Sequence, residues 1–124
     1  MEAVINHQAP TIHGDGSYSR DFTYVDNVIQ ANLHALFTDQ HEALNQVYNI
    51  AFGESTTLIQ LFESIKEIAG SDLTPIFGPF RKGDIPHSLA NIDKAKKLLN
   101  YEPEISVHEG LRRAFEWYKN HATS

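Results

Sequence analysis

The sequence predicts a small α/β domain, α+β-like in layout, built from short strands and about four helices. Two observations predict it. Short runs with an apolar period of two alternate with longer runs whose period is near 3.6. Glycine and proline clusters separate the runs. A length of 124 residues suits one domain over 1–124, and 41% hydrophobic residues supply an ordinary core.

Each element has its own signal. Pro10–His13 reads as a short strand, followed by a turn at Gly14-Asp15-Gly16, where glycine tolerates positive φ. Arg20–Val25 carries Phe22, Tyr24 and Val25 in a strand-like pattern. From Asp26 the period changes, and Val28, Ile29, Asn32, Leu33, Leu36 and Phe37 fall on one helical face. Asp26 stands near the helix start, where the dipole favours a negative charge. Gln46–Phe52 reads as a strand.

Thr57 with Gln60 forms a capping box, and Leu58, Leu61, Phe62, Ile65 and Ile68 form the buried stripe behind it, with Gly70 as the stop. Leu73–Phe77 reads as a strand that Pro75 confines to an edge. Gly78–Pro86 is a loop, and Ser88–Ile92 a brief strand. Asp93 is expected to cap a short helix ending at Leu99. Ser106 with Glu109 opens the last helix, which buries Val107, Leu111, Ala114, Phe115 and Tyr118. The tail after Asn120 is expected to fray.

Composition narrows the function. Sixteen acidic against ten basic residues give a formal charge of −6, without the basic stripe of a nucleic-acid or membrane-surface binder. With no cysteine there is no disulfide, thiolate or cysteine–zinc chemistry, which fits a cytoplasmic location. No apolar run reaches the roughly 20 residues that span a bilayer, and without a basic segment followed by an apolar one at the N-terminus no signal peptide is expected.

Two segments carry chemistry: Gly14–Asp26 (GDGSYSRDFTYVD) and Arg81–Ser88 (RKGDIPHS). Each sets an arginine beside an aspartate in a glycine-containing stretch. The guanidinium fork matches phosphate oxygens, and a neighbouring carboxylate can accept from ribose hydroxyls or hold the arginine. Such a pair is more often a solvated ion pair than a ligand site, and residue types alone name no ligand.

GDGSYSRDFTYVDNVIQANL, NQVYNIA and FRKGDIPHSLANIDKAKKLLNY resemble the C-terminal region of UDP-sugar 4-epimerases of the extended short-chain dehydrogenase type. They are most similar to the UDP-N-acetylglucosamine 4-epimerases. The resemblance runs from about Ala9 to Lys119. It implies that Arg20 and Arg81 grip the nucleotide diphosphate and that Asp84 accepts from the uridine ribose. It implies that Thr11 and His13 offer backbone groups to the uracil edge. It also places Ser88 against the hexose, where a small residue admits a 2-acetamido group and a bulky one blocks it.

The same resemblance implies NAD as hydride carrier at C4 and a catalytic tyrosine. However, this chain has neither G-x-x-G-x-x-G nor Tyr-x-x-x-Lys. Both are expected in a preceding Rossmann domain, with Met1 near the end of a helix running into Asn6. Catalytic residues are therefore not expected in this chain, and the surface left by that domain is expected to be apolar and prone to self-association. Two rival classes stand beside this one: within enzymes, a nucleotide-sugar 4,6-dehydratase or UDP-glucuronate decarboxylase, which shares the C-terminal architecture, and outside enzymes, a free-standing sugar-nucleotide-binding module.

The remaining constellations are weak. Seven histidines show no HxxxH or HExxH spacing, so no metal site is expected. Ser88 beside His87 lacks a nucleophile elbow. Lys94, Lys96 and Lys97 read as a solvated helix face.

Overall fold

A computed structural model describes residues 1–121, so the expectation for the end of the tail, Ala122–Ser124, lies outside the described residues. In order the elements are α1 (Glu2–Ile5), β1 (Thr11–His13), β2 (Ser19–Arg20), α2 (Val25–Phe37), a 3-10 turn (His41–Ala43), β3 (Thr56–Thr57), α3 (Leu58–Ala69), β4 (Ile76–Gly78), α4 (Asp93–Leu99) and α5 (Val107–His121). The α/β class holds. Four of the five α-helices are those the periodicity predicts, and α1 is the helix end implied before Asn6.

The strands form two pairs. β1 lies parallel to β4 with Thr11 opposite Ile76, and β2 antiparallel to β3 with Ser19 opposite Thr57. The caps explain the sharpest helix ends. The Thr57 side chain accepts from the Gln60 N–H at 3.2 Å, while the Gln60 side chain accepts from the Thr57 N–H at 2.9 Å. Gly70 closes α3 in the left-handed region at φ 59°. At α5 only half a box forms. Ser106 Oγ accepts from the Glu109 N–H, but the Glu109 carboxylate turns to Arg112 and Arg113. Asp93 is not a cap; Ile92 holds that position, and the Asp93 N–H donates to Asn91 Oδ1.

Two apolar clusters hold the fold. Val4, Ile12 and Phe62 join α1, β1 and α3, with Leu58, Ile59 and Ile65 packed around them. Ala31, Ala43, Ala51, Ile92, Ala95, Leu99 and Tyr101 join α2 and α4. The small side chains of Ala31 and Ala95 permit close approach of the two helices, and the Tyr101 hydroxyl, fully buried, donates to the Ala51 carbonyl at 2.8 Å. Burial pushes the Tyr101 phenol above its usual range, and the negative charge of Asp21 adds to the effect.

Three strand expectations are corrected. Of Arg20–Val25 only Arg20 is in a strand, and Val25 already begins α2. Ser88–Ile92 forms no strand; its place is taken by a single parallel bridge between Ser19 and His87. Over Gln46–Phe52 the period of two survives, with Tyr48 and Ile50 against the core and Val47 and Asn49 outward, but no ladder forms. Among the described residues no backbone group from Gln46 to Ile50 bonds to another backbone group. A ladder needs a neighbour, and this chain supplies none there. Lys94, expected to be solvated, instead donates to Gln46 Oε1 and the Val47 carbonyl and lies 5.1 Å from the Tyr48 ring.

The apolar face of α2 is turned the other way from a core stripe. Leu33, Leu36 and Phe37 are exposed, Phe37 by 77%. The inward face is Asn27 and Ala31. Asn27, 2% exposed, donates to the Ile105 carbonyl and accepts from the Glu104 and Ile105 N–H groups, fastening α2 to the approach of α5. In α5, Val107, Leu111, Ala114 and Phe115 are half-buried while Tyr118 is exposed.

Candidate functional site

The two arginine segments meet at β2. Ser19, 3% exposed, donates its N–H to the Pro86 carbonyl at 2.9 Å and accepts from the Ser88 N–H at 3.2 Å. His87 is thereby bracketed, and its Nδ1 lies 3.0 Å from Ser19 Oγ. Arg20 follows Ser19 directly, and its guanidinium donates to the same Ser19 carbonyl at 2.8 Å. One carbonyl oxygen thus receives both the Arg20 head group and the Ser88 amide.

Asp21 fixes the next residue of the same segment. Its carboxylate accepts from the Phe52, Gly53 and Ala90 N–H groups at 3.1 to 3.3 Å. It does not pair with Arg20; it ties the start of α2 to two loops. Among the described residues neither Arg20 nor Arg81 is in a salt bridge. The solvated ion pair, the commoner meaning of an Arg–Asp loop, is not what these two arginines form.

The loop reaches this point from β4. Beyond Gly78, the Pro79 carbonyl lies 3.3 Å from His13 Nδ1, and the Phe80 ring packs against Tyr18 with centroids 5.0 Å apart. Gly14 lets the ring approach: a Cβ there would stand 2.4 Å from Phe80 Cε1, and its φ is +86°. Arg81 then opens a turn closed by the Asp84 N–H on the Arg81 carbonyl at 3.3 Å. Every residue from Arg81 to Leu89 is exposed, Ser88 included.

β1 borders this ground. The Pro10 carbonyl accepts from the Ile76 N–H, and the Gly14 N–H donates to the Gly78 carbonyl, both at 2.9 Å. Strand residues alternate in direction, so the backbone groups of Thr11 and His13 turn away from β4, to an edge where no further strand pairs among the described residues. That edge can pair with the planar amide edge of a ligand.

All six residues singled out in the sequence, Thr11, His13, Arg20, Arg81, Asp84 and Ser88, therefore lie on β1, on β2 or on the loop between β4 and the Ser19 bridge. Sequence reasoning missed the residues that assemble them: Ser19, Asp21 and Phe80. Asp21 was visible only as a neighbour of Arg20, and nothing marks Ser19. Among the described residues no three His, Asp or Glu side chains come together as a metal site, and no helix is long and apolar enough to cross a membrane.

A family model described as GDP-mannose 4,6 dehydratase matches residues 1–114. The solved UDP-glucose 4-epimerase of Thermotoga maritima, with UDP-glucose, is 40% identical and superposes with a TM-score of 0.90 over 98% of this chain and 38% of that one. The UDP-N-acetylglucosamine 4-epimerase of Methanobrevibacter ruminantium, in complex with UDP-N-acetylmuramic acid, is 36% identical with a TM-score of 0.86, covering 95% of this chain and 37% of that one. UDP-glucuronic acid decarboxylase 1 of Arabidopsis thaliana is 35% identical over 118 residues, 94% of this chain and 26% of that protein. Other solved relatives hold NAD. The chain spans 26 to 40% of the length of the curated relatives it matches. In sequence and in fold it belongs to the GDP-mannose 4,6 dehydratase family of nucleotide-sugar epimerases and dehydratases, and it matches the C-terminal portion of extended short-chain dehydrogenases/reductases.

Proposed function

We propose that this chain is the nucleotide-gripping part of an NAD-dependent UDP-sugar 4-epimerase acting on UDP-hexoses or UDP-N-acetylhexosamines. The observation that carries it is the Ser19 bridge. It joins the segments that carry Arg20 and Arg81, neither of which is in a salt bridge among the described residues, and β1 offers an edge with no further strand. Arg20 and Arg81 hold the diphosphate, Asp84 accepts from the ribose, and the Thr11 and His13 backbone takes the uracil edge. Ser88 bounds the hexose, and its small volume leaves room for a 2-acetamido group.

The chain's own residues do not fit NAD. It has no glycine-rich phosphate loop and no Tyr-x-x-x-Lys pair, so the cofactor belongs to a Rossmann domain outside this sequence. Its contribution to catalysis is binding energy from a remote, non-reacting handle, which orients the sugar and retains the intermediate. The exposed face of α2 and the ladderless Gln46–Ile50 segment are the surface that domain would cover: an apolar helix face and an alternating segment whose backbone finds no backbone partner.

Arg20→Ala in the whole enzyme tests the grip. A half-buried charge-assisted bond is worth about 1.5–3 kcal/mol, so the KM for every UDP-sugar should rise about 10- to 100-fold. An unchanged KM would make Arg20 structural. The match to a UDP-glucuronic acid decarboxylase favours a second chemistry on the same grip. Product analysis separates them, because a decarboxylase releases carbon dioxide from UDP-glucuronate and a 4-epimerase does not.

A further inference from the structure

We infer that Ser19 and His87 form a side-chain latch that sets the position of the second arginine segment against the first, making His87 a positioning residue for nucleotide binding. The inference rests on the proposed UDP grip and adds residues that the grip itself does not include. Ser19 is the only point at which β2 touches the Arg81–Ser88 loop in strand fashion, among the described residues. A single bridge of two backbone bonds, at 2.9 and 3.2 Å, is a weak restraint on a loop whose residues from Arg81 to Leu89 are all exposed. The Ser19 Oγ–His87 Nδ1 contact at 3.0 Å adds a third bond whose serine end is 97% removed from solvent, and a side-chain bond fixes the rotation that a backbone bridge leaves loose.

The consequences run both ways along the loop. Side chains alternate in an extended segment, so anchoring His87 on Ser19 turns Ser88 to the opposite side. Three residues upstream, Asp84 closes the turn that carries Arg81. On the other strand, the Ser19 carbonyl holds both the Ser88 amide and the Arg20 guanidinium, so a shift of the loop at His87 reaches Arg20 through one shared oxygen. His87 need not touch the ligand for its loss to be felt at both arginines.

The test uses the whole enzyme and UDP as the probe, with seven forms side by side: wild type, Arg20→Ala, Arg81→Ala, Ser19→Ala, His87→Ala, His87→Asn and the Ser19→Ala/His87→Ala double variant. Asparagine places a polar atom where Nδ1 stood, so it should restore the contact. Calorimetry should show His87→Ala and Ser19→Ala each weakening UDP about 3- to 10-fold, as expected for one neutral hydrogen bond. Their double variant should be no weaker than either single one, and His87→Asn should stay within about twofold of wild type. In the same samples, amide exchange at Ser88 should quicken in His87→Ala and not in His87→Asn.

If the two arginine variants weaken UDP while His87→Ala and His87→Asn both match wild type, the latch is overturned and the grip stands. Unchanged Ser88 exchange in His87→Ala overturns the latch whatever the affinities. If UDP binds equally with and without Arg20 and Arg81, the grip itself fails and the positioning role falls with it.

Discussion

Asp21→Asn isolates the contribution of one carboxylate to the assembly of the site, since aspartate and asparagine differ by one atom in shape. In the native chain three N–H donors point at the two oxygens. Phe52 donates to Oδ1, Ala90 to Oδ2, and Gly53 lies 3.1 Å from both. Asparagine keeps one oxygen and presents an NH2 group in place of the other, so a donor faces a donor. The better orientation leaves the oxygen with Gly53 and Ala90, because Phe52 has a second acceptor in Thr23 Oγ1 at 3.1 Å.

Two bonds then fall from charge-assisted to neutral strength, a loss of about 1 kcal/mol each, and the half-buried setting keeps the figure at the low end. The expected destabilisation is about 2 kcal/mol, read as a lower urea midpoint with an unchanged slope. Adding Thr23→Val should cost more in the Asp21→Asn background than in wild type, because Phe52 has then lost both acceptors. A midpoint for Asp21→Asn within about 0.5 kcal/mol of wild type would refute the network, showing that water serves these amides equally well.

Other outcomes follow from the same geometry. Ser88→Tyr in the whole enzyme should depress turnover of UDP-N-acetylhexosamines while sparing UDP-glucose, measured as a kcat/KM ratio; an unchanged ratio removes Ser88 from specificity. Gly110→Ala sets a Cβ 2.9 Å from Tyr24 Cβ, and crowding of about 1–3 kcal/mol exceeds the helix propensity gain of about 1 kcal/mol, so thermal unfolding should come earlier. The Glu109 carboxyl is held at about 2, against an ordinary value of 4.5, by hydrogen bonds from Arg112 and Arg113. Its folded-state pKa is depressed, so its stabilisation is present above 4.5 and is lost as pH falls towards 2. The Tm gap between wild type and Glu109→Gln should close over that window, and a gap constant with pH would mean the cluster is inert.

Where the residues themselves carry the geometry, the sequence was legible. The Thr57–Gln60 box and Gly70 are local devices, and both ends of α3 fall where they predict. Of the six proposed site residues, Arg20, Arg81, Asp84 and Ser88 stand in the two glycine-bearing arginine motifs, whereas Thr11 and His13 lie outside them and came only from the family resemblance. The helix of α2 was legible too, but not its direction. Periodicity reports that Val28, Ile29, Leu33, Leu36 and Phe37 share a face; it does not say what lies opposite. Here the core takes the other face, through Asn27 and Ala31, because Asn27 finds three backbone partners next to Ile105 that no local pattern foretells.

The strand expectation at Gln46–Phe52 failed for a related reason. Alternation is a property of the segment, whereas a ladder is a property of a pair. Tyr48 and Ile50 do face the core as the pattern requires, and Val47, 85% exposed, faces away with the apolar side of α2 nearby in sequence. Both misreadings lie between Val25 and Phe52, and both leave apolar or hydrogen-bonding surface unused. The exposed Leu33, Leu36 and Phe37 side chains and the ladderless Gln46–Ile50 backbone are the groups left unused. Under the proposed function this stretch is where a Rossmann domain would sit, while the Ser19 bridge and the β1 edge are built wholly from residues of this chain.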